Sequence, residues 1–192
     1  MKTLLIVDLQ QDFMPGGALP VPEANVLIAV INDLQKDFDL VIASQDWHPP
    51  HHISFASTHH KKPGDWIEHK GVRYQLWPDH CIQGTLGAAF PSQLYTKKIK
   101  KIIHKGVHPQ VESYSAFFDA QHASTGLFEY LKTEGVTEIF VVGVATDYCV
   151  KATVLDACSL SLKTNVIRQA CRGLDGSEQA FKQMEAAGAY IC

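Results

Sequence analysis

Three side chains of different chemistry stand at the ends of short apolar runs in this sequence. Asp8 ends the first run, Lys105 ends a later one, and Cys149 follows residues 138–144 at the start of an expected helix. A carboxylate can take the proton of a thiol, a lysine can hold charge, and backbone N–H groups can stabilise an oxyanion. Together they indicate cysteine-based acyl transfer. The alternative for Asp8 and Lys105 is a surface ion pair without a catalytic role.

Cys149 has two interpretations on position alone. At a helix N-terminus, the exposed N–H groups and the positive end of the dipole would favour its thiolate and make it a nucleophile. The alternative is a buried structural cysteine, which is common for this residue type. Cys158, Cys171 and Cys192 have no comparable setting, so we interpret them as structural.

Asp46 and His48 form a candidate metal-binding pair. They are two residues apart, so on an extended segment both side chains point the same way. With a third ligand they could hold a divalent ion and leave positions open for water and substrate. The candidate third ligands are His51, His52, His59, His60, His69 and His80. His80 lies in the part of its segment that has the most structured composition, and most of the others are expected to be solvated.

The elements that must position these residues alternate along the chain. Strands are expected at residues 3–9, 40–44, 101–104, 138–144 and 164–168, with a short edge strand at 190–191, and helices at 23–36, 127–134, 146–162 and 177–187. Alternation of this kind predicts a three-layer α/β/α fold around a mostly parallel sheet. The chain is too short for an eight-unit barrel. Ligands of such sheets bind beyond the carboxyl ends of the strands, where all the residues above would meet.

The chain is expected to form one domain, residues 1–192, because its length and its 46% hydrophobic residues suffice for one sizeable core. One long segment, residues 46–95, is rich in His, Pro, Gly and Trp and weak in periodicity. Loops of that length inside a compact domain are usually functional or disordered. Its tryptophans and histidines favour a functional loop that binds metal and substrate.

The net charge and the cysteines indicate which classes of partner and which cellular compartment to expect. A net charge of −3 argues against nucleic acid and membrane-surface partners. The basic run 97–105 is interpreted as a solvated edge that leads into a strand. Five cysteines without framework spacing suit free thiols in a reducing cytoplasm, and the N-terminal apolar run is too short for a signal peptide. The sequence leaves open whether copies of the chain form a homo-oligomer.

Five motifs in order make the chain resemble the nicotinamidases, also called pyrazinamidases, of the isochorismatase-like hydrolase superfamily. The resemblance runs nearly end to end. The motifs are VDLQQDF at 7–13 with GGAL at 16–19; DWHP at 46–49 with His52 and SF at 54–55; WPDHC at 77–81 with GT at 84–85 and Gly87; KG at 105–106 with ESYSAF at 112–117; and GVATDYCV at 143–150.

The resemblance implies an isochorismatase-like hydrolase fold and a catalytic triad of Asp8, Lys105 and Cys149. It also implies a cis peptide bond between Val144 and Ala145, and an oxyanion hole made by the N–H groups of Ala145 and Cys149. The implied substrate is nicotinamide, with pyrazinamide as a further one. The amide would be converted to the acid and ammonia through a cysteine thioester.

The resemblance further implies one divalent metal ion and an aromatic substrate pocket. The implied metal ligands are Asp46, His48 and His80, with water completing the shell and Ser54 in contact only through water. Zinc is the expected ion, and iron or manganese suits the same ligands. The implied pocket residues are Phe13 and Trp77, on either side of the pyridine ring, and Tyr114. Without the resemblance, ordinary core packing would be the preferred interpretation of Phe13 and Trp77.

Two other functions stay open at this level. The first is a metal-free relative that cleaves another amide, carbamoyl or ureido group, against which the trio Asp46, His48 and His80 counts. The second is a non-catalytic binding module on the same fold. The intact triad counts against it, because a module has no use for a thiol at a helix N-terminus.

Overall fold

The chain alternates strands with helices, and the computed structural model describes residues 1–69 and 71–192 of it. The strands are β1 (Thr3–Val7), β2 (Leu40–Asp46), β3 (Trp66–His69), β4 (Val72–Gln75), β5 (Ile99–Lys105), β6 (Glu138–Val144), β7 (Lys163–Arg172) and β8 (Tyr190–Ile191). The α-helices are α1 (Leu27–Leu34), α2 (Leu127–Thr133), α3 (Lys151–Ser159) and α4 (Ser177–Ala186). In these ranges no helix combines the length and the apolar character needed to cross a bilayer.

Six strands form one sheet in the order β5-β2-β1-β6-β7-β8, and every neighbouring pair is parallel. The central strand β1 is buried along its whole length, as its continuous apolar sequence predicts. Leu4 and Ile6 pack into the core on the face covered by α1, whereas Leu5 and Val7 pack with α2, α3 and α4 on the other face. The predicted three-layer α/β/α fold is confirmed.

Several element boundaries differ from the expectation by a few residues, and two differences go beyond a shifted boundary. Residues 46–95, expected to be a loop, contain an antiparallel hairpin of β3 and β4, whose four-residue strands are too short and too exposed for a clear apolar pattern. The helix expected at 146–162 begins with a π-helical turn, Thr146–Val150, and is α-helical only from Lys151. In that turn the carbonyl of Ala145 accepts N–H groups from both Tyr148 and Val150.

Parallel pairing brings the candidate residues to one edge of the sheet. Asp46 at the end of β2 is in register with Lys105 at the end of β5. Val7, directly before Asp8, is in register with Gly143 near the end of β6. The turn that carries Cys149 follows β6 directly. The carboxyl ends of four neighbouring strands therefore define the site.

Candidate active site

The ammonium group of Lys105 lies at the centre of the site. Its Nζ is 2.9 Å from Oδ2 of Asp8, 2.5 Å from Oδ1 of Asp46 and 3.3 Å from Sγ of Cys149. It also donates to the carbonyl of Ser113 at 3.1 Å. Burial favours the neutral amine, but the two carboxylates outweigh it and hold the pKa of Lys105 well above its usual value. A buried cation therefore links the carboxylates to the thiol.

The two oxygens of the Asp8 carboxylate have different surroundings. Oδ1 accepts a hydrogen bond of 2.7 Å from the hydroxyl of Ser44. Oδ2 has Lys105 beside it, but within residues 1–69 and 71–192 it accepts no hydrogen bond of good geometry. The carboxylate lies within 4.8 Å of the sulfur of Cys149, and burial raises its pKa despite Lys105. Oδ2 is thus placed to accept a proton from the thiol.

Cys149 is buried in the π-helical turn, and its surroundings favour the thiol. Burial raises its pKa well above the usual value, and the lowering by Lys105 does not offset this. The expectation that a helix N-terminus would favour the thiolate therefore needs correction, because the loss of solvent outweighs the nearby positive charge. The reaction needs a base beside the sulfur. The carboxylates of Asp8 and Asp46 both lie within 4.8 Å of it, but Asp46 faces His48 and His80, which leaves Asp8 as the base.

Asp46, His48 and His80 come together as potential metal ligands. One ligand atom from each lies within 4.8 Å of the others, and Nε2 of each histidine is 3.7 Å from the Asp46 carboxylate. Nδ1 of His48 donates to the carbonyl of Gly106 at 3.0 Å, and Nδ1 of His80 to that of Pro78 at 2.7 Å. In each ring Nε2 is therefore the nitrogen that lies near the carboxylate, an arrangement that suits a divalent ion.

His52 has both ring nitrogens engaged and does not offer a ligand atom. Nε2 donates to the carbonyl of Val111 at 3.1 Å, and Nδ1 accepts the hydroxyl of Ser54 at 2.7 Å. Burial lowers the pKa of His52 to about 4, so the ring is neutral. The grouping of His52 with His48 and Glu112 is therefore a poorer metal site than the one above, although its ligand atoms also lie within 4.8 Å of one another. The other histidines of segment 46–95 lie outside these two groups.

A cavity of about 400 Å³, including its mouth to solvent, lies over the thiol and the potential metal ligands. The expected pocket residues Phe13, Trp77 and Tyr114 all line it, and the indole N–H of Trp77 donates to the hydroxyl of Tyr114 at 3.0 Å. Ala145 and Cys149, the implied oxyanion donors, line it as well, and the implied cis bond between Val144 and Ala145 is present.

Several residues of the site had no role in the sequence-based prediction. The further residues that line the cavity are Leu19, Val21, Glu112, Tyr148 and Leu174. Gln10 supports Asp46, because its amide donates to the Asp46 carbonyl and accepts the Asp46 N–H, each at 2.8 Å. Gln10, Glu112 and Tyr148 lie inside the recognised motifs, so proximity to those motifs was a usable signal. Leu174 gave none.

The three-layer α/β/α fold and a site built on a buried thiol, carboxylate and lysine are typical of cysteine hydrolases, and comparison with known proteins identifies the family. The chain matches the isochorismatase domain over residues 2–192 and belongs to the isochorismatase family. It is 47% identical to the nicotinamidase of Escherichia coli (strain K12) over 199 residues, which cover 99% of this chain and 93% of that protein. The resemblance seen in the five motifs is confirmed.

Solved structures show the same likeness in three dimensions. A nicotinamidase/pyrazinamidase of Acinetobacter baumanii matches with a TM-score of 0.95 and 46% identity, covering 99% of this chain and 94% of that one. The pyrazinamidase of Pyrococcus horikoshii in complex with zinc matches with a TM-score of 0.83 and 36% identity, covering 100% and 98% of the two chains.

Proposed function

We propose that this protein hydrolyses nicotinamide to nicotinate and ammonia, and pyrazinamide in the same way, through a thioester on Cys149. One observation carries the proposal. Cys149, which has Asp8 and Lys105 beside it, lines one cavity with aromatic walls together with Asp46, His48 and His80. The similarity to nicotinamidases over nearly the whole chain supports this choice of substrate.

In the first half of the reaction, Oδ2 of Asp8 takes the thiol proton while the sulfur attacks the carboxamide carbon. The oxyanion accepts hydrogen bonds from the N–H groups of Ala145 and Cys149. When the C–N bond breaks, the proton on Asp8 passes to the nitrogen, ammonia leaves, and a thioester remains. The net charge stays the same throughout, because the thiol proton passes first to Asp8 and then to the leaving nitrogen, while the Lys105 ammonium stays beside Asp8 and the sulfur.

In the second half, water replaces ammonia at the thioester carbon. Asp8, again a carboxylate, takes a proton from this water as it attacks, and the resulting oxyanion uses the same N–H groups. Cleavage of the C–S bond releases the carboxylic acid, and the proton on Asp8 returns to the sulfur. The enzyme is thereby restored to its starting protonation state.

Asp46, His48 and His80 would hold one divalent ion in the same cavity. Zinc is proposed because the related pyrazinamidase of Pyrococcus horikoshii is described in complex with zinc, while iron and manganese suit the same ligands. When bound, the ion would act as a Lewis acid toward the pyridine nitrogen. This interaction would orient the substrate and withdraw electrons from its ring. Phe13, Trp77 and Tyr114 supply the apolar and aromatic contacts to that ring.

The test is ammonia release by the pure protein from nicotinamide and from benzamide, before and after treatment with a chelator. We expect turnover of nicotinamide, which should fall after chelation and return when zinc is added. Turnover of benzamide should be poor, because benzamide has no ring nitrogen. Cys149→Ala protein prepared in parallel controls for contaminating amidases.

Other outcomes of this test favour the other two functions. Chelator-insensitive release, equal for both amides, would favour the metal-free relative. No release from either amide, with nicotinamide still bound in calorimetry, would favour the binding module.

A further inference from the structure

Asp147 holds the loop between β7 and α4 against the turn that carries the nucleophile. Its Oδ1 accepts the N–H of Leu174 at 3.0 Å, and its Oδ2 accepts the N–H groups of Asp175 and Gly176, both at 2.9 Å. Three successive backbone donors therefore converge on one carboxylate. Burial works against the charge, but these hydrogen bonds hold the pKa of Asp147 below its usual value.

The loop is built closely around this side chain. A Cβ on Gly173 would lie 2.7 Å from Oδ1 of Asp147 and 2.3 Å from Oγ of Ser177, so a side chain there would push these groups aside. Gly176 caps the N-terminus of α4, where a carboxylate is also favoured by the exposed N–H groups and the helix dipole. The position of the loop is thus fixed by Asp147 from inside.

The same carboxylate connects two parts of the reaction cavity. Asp147 lies two residues before Cys149 in the π-helical turn, and Leu174, whose N–H it accepts, lines the cavity together with Cys149. Leu174 is also packed against the core beneath the cavity. Its place in the wall depends on the loop, and the loop depends on Asp147.

We propose that Asp147 is a positioning residue that holds Leu174 in the wall of the reaction cavity and thereby sets which rings the cavity accepts. The inference rests on the proposed hydrolysis of a ring carboxamide. A loosened wall binds the ring less well and admits a larger one, whereas the acid–base chemistry of Asp8 and Cys149 is unchanged.

Steady-state kinetics of Asp147→Asn and Leu174→Ala on nicotinamide and on ring-methylated nicotinamides test this. An amide NH2 in place of Oδ2 would face N–H donors, so the loop should detach. Both variants should raise KM for nicotinamide more than they lower kcat. We also compare kcat/KM for each methylated substrate with kcat/KM for nicotinamide. For at least one methylated substrate, this ratio should be about 10-fold higher in each variant than in the wild type, which is the usual effect of one methyl group in an apolar pocket. The double variant Asp147→Asn/Leu174→Ala should change the substrate ratio little more than either single variant, because both substitutions act on the same wall of the cavity.

Asp175→Asn is the matched control, because it removes a charge from an exposed side chain of the same loop and keeps all three bonds to Asp147. It should behave as wild type. Gly173→Ala crowds the Asp147 carboxylate and the Ser177 hydroxyl without removing a charge. It should shift the substrate ratio in the same direction as Asp147→Asn, and it replaces that variant if Asp147→Asn does not fold.

Two results would overturn the inference. One is an unchanged substrate ratio in Asp147→Asn and Gly173→Ala while Leu174→Ala shifts it. The other is a loss confined to kcat in Asp147→Asn. If wild-type protein released no ammonia, the proposed function itself would be contradicted. Ammonia release by the wild type is therefore measured before the variants are compared.

Discussion

The proton on the Cys149 sulfur must move before the sulfur can attack a carboxamide. Burial raises the pKa of this thiol and also that of Asp8, whereas the Lys105 ammonium stays charged. The thiol and the carboxylate therefore form a donor and an acceptor within 4.8 Å, with a fixed cation beside both. Proton transfer inside the cluster changes no net charge, which suits a buried site.

Loss of the nucleophile should abolish turnover without unfolding the protein. Cys149→Ala is expected to lower kcat by roughly 10³-fold or more, because no thioester can form. Cys158→Ala, at a half-buried cysteine of α3, should keep nearly the wild-type rate. Ammonia release and thermal melting of both variants check this. A Cys149 variant with a tenth of normal activity would rule out the thioester.

Asp8 and Lys105 should act with Cys149 as one unit. Their side chains contact each other at 2.9 Å, so removing either one already disables proton transfer. We expect the kcat of the double variant Asp8→Asn/Lys105→Ala to lie close to that of the worse single variant. Multiplicative losses in the three rates would mean that the two residues act independently.

The pH dependence of kcat/KM should report Asp8. A base is active when deprotonated, so activity should be present above the Asp8 pKa and lost as the pH falls through it. Because burial raises that pKa, the acid limb should lie above pH 3.8, the usual value for the group. Ser44→Ala removes a hydrogen bond to the carboxylate and should move the limb to higher pH. Ser159→Ala, at an exposed serine, should leave the limb where it is.

At the scale of elements, the candidate metal site joins the end of β2 to the loop that follows the β3–β4 hairpin. Elemental analysis should distinguish a ligand from its neighbour. His80→Ala should lose the metal, because it removes one of three protein ligands. His52→Ala should keep the metal or weaken its binding by only about 10- to 100-fold, since the ring supports the site through Val111 and Ser54. A His80 variant with full metal content would refute the assignment.

At the scale of the whole molecule, metal binding should stabilise the fold. The ligands Asp46 and His80 are distant in sequence, so an unfolded chain does not present them together. Free zinc at about 100 times its Kd should add about 2.7 kcal/mol to the unfolding free energy, which raises the melting temperature by about 5 to 10 °C. Calorimetry with zinc and with chelator measures the shift, and His80→Ala should lose it. An unchanged wild-type melting temperature would contradict the site.

The shared edge of the sheet was predictable from the sequence alone. Each strand that ends there is a short apolar run, and the polar residues Asp8, Asp46 and Lys105 directly follow or end these runs. Parallel strands must present their carboxyl ends on one side, so placing the strands also places the polar residues. The individual contacts, such as the hydrogen bond from Ser44 to Asp8, could not be predicted, because they depend on the register of neighbouring strands.

Other features depend on contacts between distant segments, and local sequence carries little trace of them. The strands of the β3–β4 hairpin are too short for a clear apolar pattern, and Leu174 reaches the cavity in a loop whose backbone is bound by the distant Asp147. The protonation of Cys149 also had to come from the structure. Its position after β6 predicts a favoured thiolate, but the pKa depends on how completely the packed chain excludes water from the sulfur. Sequence thus determined which residues meet at the sheet edge, and tertiary packing decided their environment, because burial is a property of the whole fold.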